Sequence, residues 1–311
     1  MNDTSRTGEI IREMASLRAI YRESPLHQPV VTALDRLNRN LWSGGDRRII
    51  VLIGEPGIGK SRTIHEVLKT HASFKHAYRS FECPSPCTVG AMGAAMLSQL
   101  GHSVTRENFR DHSLVSRIES VLPHSGVHIV LIDEAQHALN SASEMKLAGN
   151  RDFWKRVTQG SYPFGLVLSG TSRIKEVVLQ DRQLSRRTIF VEGRRLVDGD
   201  ADDTEGLIGK YATDASLECE VTADLALRVM HACAYTFGEV CKLIIAAVED
   251  ALITNANTLT INNFASAYAA DTDCEPQDNP FITPEWARLP IAGAVSTATP
   301  LDRLAVGRGG F

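Results

Sequence analysis

Residues 49–61 read IIVLIGEPGIGKS, an apolar run followed by a glycine-rich loop. The unbroken, largely β-branched run Ile49–Ile53 predicts a strand buried on both faces, as in a parallel sheet. Residues Gly54–Ser61 match the pattern G-x-x-x-x-G-K-[ST] in full, and a helix is predicted directly after them, over residues 61–71. Glycines let backbone N–H groups curl around an anion, and the helix start adds the positive end of its dipole. The stretch therefore predicts a nucleotide-phosphate site on an α/β fold.

Each part of this loop has an expected role in holding ATP and Mg²⁺, the two expected cofactors. Lys60 places a cation at the β- and γ-phosphates, and the Ser61 hydroxyl is expected to bind the metal. The residues predicted to hold the nucleotide are Gly54, Glu55, Pro56, Gly57, Ile58, Gly59, Lys60 and Ser61.

A second apolar strand, Ile129–Ile132, runs into the carboxylates Asp133 and Glu134. Asp133 is predicted to complete the cofactor site by holding Mg²⁺ through water, opposite Ser61. Glu134 is predicted to accept a proton from the attacking water. The alternative is a strand end followed by a helix whose first turn prefers acidic residues.

A third buried strand, Leu166–Leu168, ends in small polar residues, and a hydroxyl there is expected to orient the attacking water. Thr171 is the first candidate and Ser169 the second. The alternative is that Thr171 or Ser172 caps the next helix.

Three arginines, Arg182, Arg186 and Arg187, follow in the stretch QDRQLSRRTIF. An arginine at a subunit edge can stabilise the transition state on a neighbour's γ-phosphate, and Arg186 and Arg187 are preferred for this role. The alternative is a solvated basic surface.

The pattern of elements along the chain predicts an ATPase core followed by a helical region. Strands are expected at residues 77–81 and 188–191 in addition to the three above, with helices between them, which favours a three-layer αβα domain with a parallel sheet. After residue 200 only helices are predicted, at residues 202–214, 223–234, 238–253 and 261–270. The predicted domains are an N-terminal helical lead-in (1–42), the α/β ATPase core (43–200), a helical lid (201–270) and a proline-rich flexible tail (271–311). Within the lead-in, residues 1–14 are expected to be mobile. Residues 15–42 have apolar positions at helical spacing, which Pro25 and Pro29 break into two pieces, the second a helix over 29–41.

Composition bounds the possible functions of the chain. Its 311 residues contain 43% hydrophobic residues, enough for a sizeable core. Lys and Arg number 33 against 37 Asp and Glu, so a net charge of −4 excludes a basic field over the whole surface. The N-terminus has no apolar stretch typical of a signal peptide, and no run of about 18 apolar residues occurs, so a cytoplasmic protein without a membrane partner is expected.

These motifs together resemble those of the AAA+ ATPases. GEPGIGKS, LIDEAQ, LVLSGT and QLSRR are similar to the Walker A, Walker B, sensor 1 and arginine-finger regions, in the same order and ahead of a helical lid. Within AAA+ proteins the chain resembles the transposition regulators of the TniB/TnsC type, in its helical lead-in, its DEAQ motif and its compact size with a proline-rich tail. The resemblance covers residues 15–270. DEAQ also occurs in the ExeA-like secretion ATPases, which usually carry a membrane span.

The resemblance implies a homo-oligomer, a ring or helical filament, that assembles with ATP on double-stranded DNA. It also implies that the oligomer links a TniQ-like target-selection protein to a DDE transposase. Family members track the DNA backbone with loops between Walker A and sensor 1, which favours Arg106, Arg110, Lys146 and Arg151 as DNA-binding residues. The alternative for each is an ordinary solvated side chain.

Three further points are left as alternatives. The lid lacks the arginine of sensor 2 after Gly238, where Lys242 offers only a point charge. The adjacent Phe153 and Trp154 are predicted to be buried in a helix rather than to stack on bases. Tail aromatics such as Phe281 and Trp286 either dock on a partner or fold back on the lid.

Two other functions fit the same motifs. One is an AAA+ protein that remodels or loads a protein partner, and the other is a nucleotide-gated scaffold that barely hydrolyses ATP.

Overall fold

The computed structural model describes residues 3–103, 111–139, 144–220 and 222–291. The chain divides into two compact units. The α/β unit comprises residues 21–194, and the helical unit comprises residues 1–20 together with residues from 195 onward. Residues 1–42, predicted as one lead-in, are thus divided between the two units.

The α/β unit is built on a five-stranded sheet in which every pair of strands is parallel. Its strands are β1 (Ile49–Ile53), β2 (Tyr78–Glu82), β3 (Ile129–Asp133), β4 (Gly165–Gly170) and β5 (Thr188–Glu192). Their spatial order is β2-β3-β4-β1-β5, so β1 lies between β4 and β5. The phosphate loop after β1 therefore emerges inside the sheet, flanked by the ends of two other strands. All five strands were predicted, four of them from apolar runs, whereas β2 has the mixed sequence YRSFE.

Helices cover both faces of this sheet. They are α2 (His27–Ser43), α3 (Lys60–Thr70), α4 (Val89–Gln99), α5 (Asp111–Ser125), α6 (Glu144–Val157), α7 (Arg173–Gln180) and α8 (Arg182–Arg186). One core joins α2 and α3 to alternate strand residues such as Ile50 and Leu52. The other joins α4 to α8 to the intervening residues such as Val51. The three-layer αβα architecture is confirmed.

Helix boundaries differ from the predictions where proline or short length obscured the pattern. Helix α2 begins at His27 rather than Pro29, because a proline in the first helical turn has no N–H to lose. Helix α6 begins at Glu144, eight residues before Asp152, the start that the apolar pattern of residues 152–158 predicts. The five-residue α8 was not predicted.

The helical unit is formed by α1 (Asp3–Ala19), α9 (Ala201–Asp214), α10 (Leu225–Ala232), α11 (Phe237–Ile253) and α12 (Ile261–Thr272). The prediction that residues 1–14 are mobile does not hold for α1, because its Met14 is only 1% exposed and packs in the core of this unit. Two short strands, β6 (Glu218–Cys219) and β7 (Thr258–Leu259), pair in parallel and were not predicted. None of the described helices is long and apolar enough to cross a membrane.

Residues that follow α12 pack on the helical unit as far as position 291. Phe281 is 5% exposed and contacts the rings of Phe264 and Tyr268. The Trp286 indole donates to a carboxylate oxygen of Asp224 (3.1 Å) and lies against the Arg228 guanidinium. Of the two alternatives given for these aromatic side chains, the structure therefore shows that they fold back on the chain. Residues 292–311 lie outside the described part.

Candidate nucleotide site

The phosphate loop has a backbone that only glycine adopts without strain at two positions. Gly57 and Gly59 have φ values of 81° and 92°. Gly59 directly precedes α3, and no side chain caps the first turn of that helix. The backbone N–H groups at the start of α3 are thus available to an anion, with the helix dipole in the favourable direction.

The middle of the loop is anchored by Ile58, which is 3% exposed. A Cβ added at Gly54 would lie 2.1 Å from the Ile58 Cδ1, and one added at Gly193 would lie 2.2 Å from it. The Ile58 side chain therefore occupies the space between the loop and the end of β5. Gly193 was not identified from the sequence, because it belongs to no motif and lies next to the loop only in the folded chain.

Lys60 connects the loop to the acidic end of β3. Its Nζ donates to the backbone carbonyls of Gly54 (2.8 Å) and Glu55 (2.9 Å). Partial burial lowers the pKa of the Lys60 ammonium, and the negative charges of Glu134 and Asp133 oppose that effect. The ammonium thus lies in the field of both carboxylates, and the structure brings together Walker A and Walker B residues that are more than 70 positions apart.

The two carboxylates are held differently. Asp133 ends β3, and its Oδ1 accepts a hydrogen bond from the backbone N–H of Glu134 (3.0 Å). Glu134 has a φ of 50°, an unusual value for a residue with a side chain. The Gln136 side-chain amide donates to Glu134 Oε2. The two carboxyl groups therefore have distinct surroundings.

The Gln136 side chain, which contacts Glu134, also lies against Gly170, the last residue of β4. A Cβ added at Gly170 would lie only 2.1 Å from Gln136 Oε1. That oxygen is buried and has no hydrogen-bond partner among the described residues. Both residues stand in the motifs LIDEAQ and LVLSGT, but their contact could not be predicted because it depends on how the strand ends are placed.

The two hydroxyl candidates at the end of β4 have different surroundings. Ser169 is fully buried, and its Oγ has no partner in the described structure. Thr171 is half-buried just after the strand. Helix α7 starts after Ser172, whose side chain makes no capping hydrogen bond. Because Ile132 pairs with Leu168, the next residues along these strands, Asp133 and Ser169, lie at the same edge of the sheet.

Arg186 and Arg187 lie at the opposite edge of the sheet from the phosphate loop. They directly precede β5, and the backbone carbonyl of Arg187 accepts from the N–H of Ile49, the first residue of β1. The loop follows the other end of β1, five residues on, a distance of roughly 16 Å. These arginines are therefore separated from the chain's own loop by the length of β1.

The predicted DNA-binding residues are only partly covered by the structure. Arg106 and Arg110 lie outside the described residues. Lys146 is exposed on α6, whereas Arg151 pairs with Glu144 (2.6 Å) and is 13% exposed. The expectation that Phe153 and Trp154 are buried is confirmed, at 1% and 0% exposure.

In the helical unit, Lys242 is the residue considered in place of a sensor 2 arginine. It is an exposed side chain on α11 that pairs with Glu239 (2.8 Å).

Comparison with known proteins agrees with this geometry. Residues 43–178 match the AAA domain family AAA_22, whereas no curated protein has significant sequence similarity to the chain. Among solved structures, ORC2 of Aeropyrum pernix has a TM-score of 0.57 and 15% identity, over 82% of this chain and 70% of its own.

Two more structures have the same fold. ORC1 of Aeropyrum pernix in complex with DNA has a TM-score of 0.56 and 15% identity, over 81% of this chain and 66% of its own. The RuvB Holliday junction branch migration motor of Thermotoga maritima has a TM-score of 0.51 and 16% identity, over 81% and 72%. Residues 43–178 are thus similar to the AAA domain family, and the chain has the fold of the AAA+ P-loop ATPases.

Proposed function

We propose that this protein hydrolyses ATP and, as an oligomer on double-stranded DNA, regulates DNA transposition. In this role it links a TniQ-like target-selection protein to a DDE transposase. The observation that carries the ATPase part is the convergence of Lys60 with Asp133 and Glu134 at one edge of the sheet. A cation beside two carboxylates, next to uncapped helical N–H groups, suits a phosphate ester and its metal.

The residues present fit both ATP and Mg²⁺. The uncapped start of α3 and the positive-φ glycines form a cradle for phosphate oxygens. Ser61 and Asp133 supply the oxygen ligands that Mg²⁺ prefers, and the metal, when bound, would neutralise charge on the β- and γ-phosphates.

The chain's own groups then divide the work of hydrolysis. Glu134 takes the proton of the attacking water, and the hydroxyl of Thr171, or that of Ser169, orients that water. Arg186 and Arg187 act on the nucleotide of an adjacent subunit, because about 16 Å separates them from their own loop. Hydrolysis therefore depends on assembly.

The transposition role rests on the sequence resemblance to the TniB/TnsC regulators. The fold is compatible with work on DNA, since similar structures include ORC1 in complex with DNA and a branch migration motor. Lys146, and with it Arg106 and Arg110, remain candidates for backbone contacts that carry little sequence preference. Arg151 is a weaker candidate because its charge is already paired with Glu144.

A second function has the same enzymatic core: an ExeA-like or other AAA+ ATPase that remodels or loads a protein partner. DNA separates the two proposals. A regulator of transposition assembles on duplex DNA, whereas a protein remodeller assembles without regard to it.

The test is electron microscopy of the full chain with linear duplex DNA, in three samples. These contain no nucleotide, a slowly hydrolysed ATP analogue, or the analogue with Lys60→Ala protein. We expect rings or filaments on DNA in the second sample alone, together with Mg²⁺-dependent phosphate release from ATP. Rings that ignore DNA would favour the remodelling function, and absence of hydrolysis even with DNA would contradict the ATPase.

A further inference from the structure

The middle of the phosphate loop is packed onto the sheet by a single side chain, that of Ile58. Of residues 54–59, all of which the structure describes, only Ile58 is buried. It lies in the core on the face of α2 and α3, together with Val191 of β5. Its neighbours Gly57 and Gly59 have positive φ values and no side chain with which to anchor the loop. The contacts of Ile58 therefore decide where this part of the loop backbone lies.

The end of the Ile58 side chain fits between two glycines. A Cβ added at Gly54 would lie 2.1 Å from Ile58 Cδ1, and one added at Gly193 would lie 2.2 Å from the same atom. Both distances are far below the roughly 3.5 Å at which two carbon atoms pack. The Ile58 δ-methyl group thus occupies the volume that a side chain at either glycine would need. We call the space between Gly54 and Gly193 the two-glycine slot.

Gly193, on the far side of the slot, is fixed to the sheet. Its backbone N–H donates to the carbonyl oxygen of Ile53 (2.8 Å), the last residue of β1. This bond continues the parallel pairing of β1 with β5, in which Ile53 lies opposite Glu192. The φ of Gly193 lies outside the left-handed region, so its backbone accepts alanine. The obstacle to a side chain at position 193 is therefore Ile58 itself.

We propose that Ile58 and Gly193 are positioning residues for the nucleotide. Gly193 leaves the slot open, Ile58 inserts into it, and the loop backbone is thereby held where its N–H groups meet the phosphates. The inference rests on the proposed ATPase function and extends it to a residue after β5 that belongs to no motif. Because the Ile58 side chain is buried in the core, it acts on the nucleotide through the backbone.

A shift of Ile58 would displace the groups that hold the phosphates. With alanine at position 193, Ile58 Cδ1 has to move by about 1.2 Å, from 2.2 Å to the 3.4 Å of an ordinary contact. The side chain is 3% exposed in a packed core and has little room to turn aside, so the loop backbone takes up part of the shift. Hydrogen bonds tolerate only about 2.7–3.2 Å between donor and acceptor, and those to charged phosphate are the strong ones. Loss of one such bond should weaken ATP binding about 10-fold or more.

The experiment exchanges one methyl group across the slot in the full chain. Gly193→Ala adds a methyl group, and Ile58→Val removes Cδ1, the atom in its way. The remaining Cγ1 lies 3.5 Å from the added Cβ, an ordinary contact. We expect Gly193→Ala to raise KM for ATP and Kd for a fluorescent ATP analogue about 10- to 100-fold. Its kcat at saturating ATP should change little, because Glu134 is untouched. The double variant Gly193→Ala/Ile58→Val should return KM and Kd close to wild-type values, since the swap conserves volume.

The matched control for this rescue is Gly193→Ala/Ile64→Val. Ile64 is buried on α3 in the same core and loses the same methyl group, but its atoms are not the ones nearest to either glycine. It should therefore leave the defect of Gly193→Ala in place. Circular dichroism verifies that each variant is folded. If Gly193→Ala does not fold, Ile58→Ala tests the same point, because it empties the slot without a clash and should also raise Kd for the analogue.

Three results would overturn the inference. They are an unchanged Kd in folded Gly193→Ala or Ile58→Ala, a loss of kcat with unchanged KM, and equal rescue by Ile58→Val and Ile64→Val. The last would mean that the core merely needs room and that the slot has no special role. Failure of the proposed ATPase is distinguishable, because the wild-type protein would then release no phosphate, whereas Kd for the analogue is measured without hydrolysis.

Discussion

Replacing Gly170 by alanine is expected to slow ATP hydrolysis by displacing the Gln136 amide from Glu134. The added Cβ would lie 2.1 Å from Gln136 Oε1 and 2.7 Å from Ile174 Cδ1. Gly170 ends a strand and its φ lies outside the left-handed region, so the backbone itself accepts alanine. The effect of the change therefore falls on the side chains that it touches.

The size of the effect follows from these contacts. Gln136 Oε1 has to move by about 1.3 Å to go from 2.1 Å to the 3.4 Å of an ordinary contact. A shift of that size breaks the hydrogen bond to the Glu134 carboxylate, at a cost of about 1.5–3 kcal/mol. Because each 1.36 kcal/mol is tenfold in rate, kcat should fall roughly 10- to 150-fold. KM for ATP should stay unchanged, since Glu134 acts on water and not on the bound nucleotide.

The assay is steady-state phosphate release by Gly170→Ala, Gln136→Ala and the double variant. Gln136→Ala should slow kcat to a similar degree. When residue 136 is already alanine, adding Gly170→Ala should lower kcat little further, because the atom that the new Cβ would meet is gone. Gly160→Ala is the matched control, since a Cβ there has nothing within 4 Å and kcat should not change.

Additive losses in the double variant would refute this reasoning, because they would mean that the two residues act separately. A rise in KM with unchanged kcat would also refute it, since that would indicate damage to nucleotide binding. Full activity of Gly170→Ala would show that the contact between Gln136 and Glu134 does not position the base.

Further predictions concern the metal, the helical unit and the cysteines. Removing Mg²⁺ with EDTA should abolish phosphate release. A fluorescent ATP analogue should still bind, because Lys60 and the loop N–H groups remain. Hydrolysis that persists in EDTA would contradict the roles of Ser61 and Asp133. Phe281→Ala should lower the free energy of unfolding by about 3–5 kcal/mol in urea titrations, because the ring is 5% exposed against Phe264, whereas Ile282→Ala, 52% exposed, should change it little. Burial raises the pKa of the Cys233 thiol, so iodoacetamide should leave Cys233 unmodified until the protein unfolds. Mass spectrometry measures the modification, and equal rates of modification at Cys233 and the half-buried Cys274 would contradict the burial of Cys233.

Most of the α/β unit could be predicted from the sequence, because most of its strands contain apolar runs and its loop matches a full motif. Runs such as Ile129–Ile132 are apolar throughout because both faces of a parallel strand are covered by helices. The part of helix α1 before residue 15 was missed because it has few apolar residues, and its Met14 is buried only by packing against distant parts of the helical unit. The same holds for residues 276–291, whose proline-rich composition gave no sign that Phe281 and Trp286 pack on α10 and α12.

Local sequence by itself determined the chemistry of the candidate site: Gly57 and Gly59 for a positive-φ loop, Lys60 for a cation, and Asp133 and Glu134 after an apolar strand. Such features depend on residues adjacent in the chain and therefore appear as motifs. Tertiary structure alone decided which distant residues meet. The contact of Gln136 with Gly170 and the packing of Ile58 against Gly193 arise from the strand order. No spacing along the chain encodes that order, because it results from long-range packing of the whole sheet.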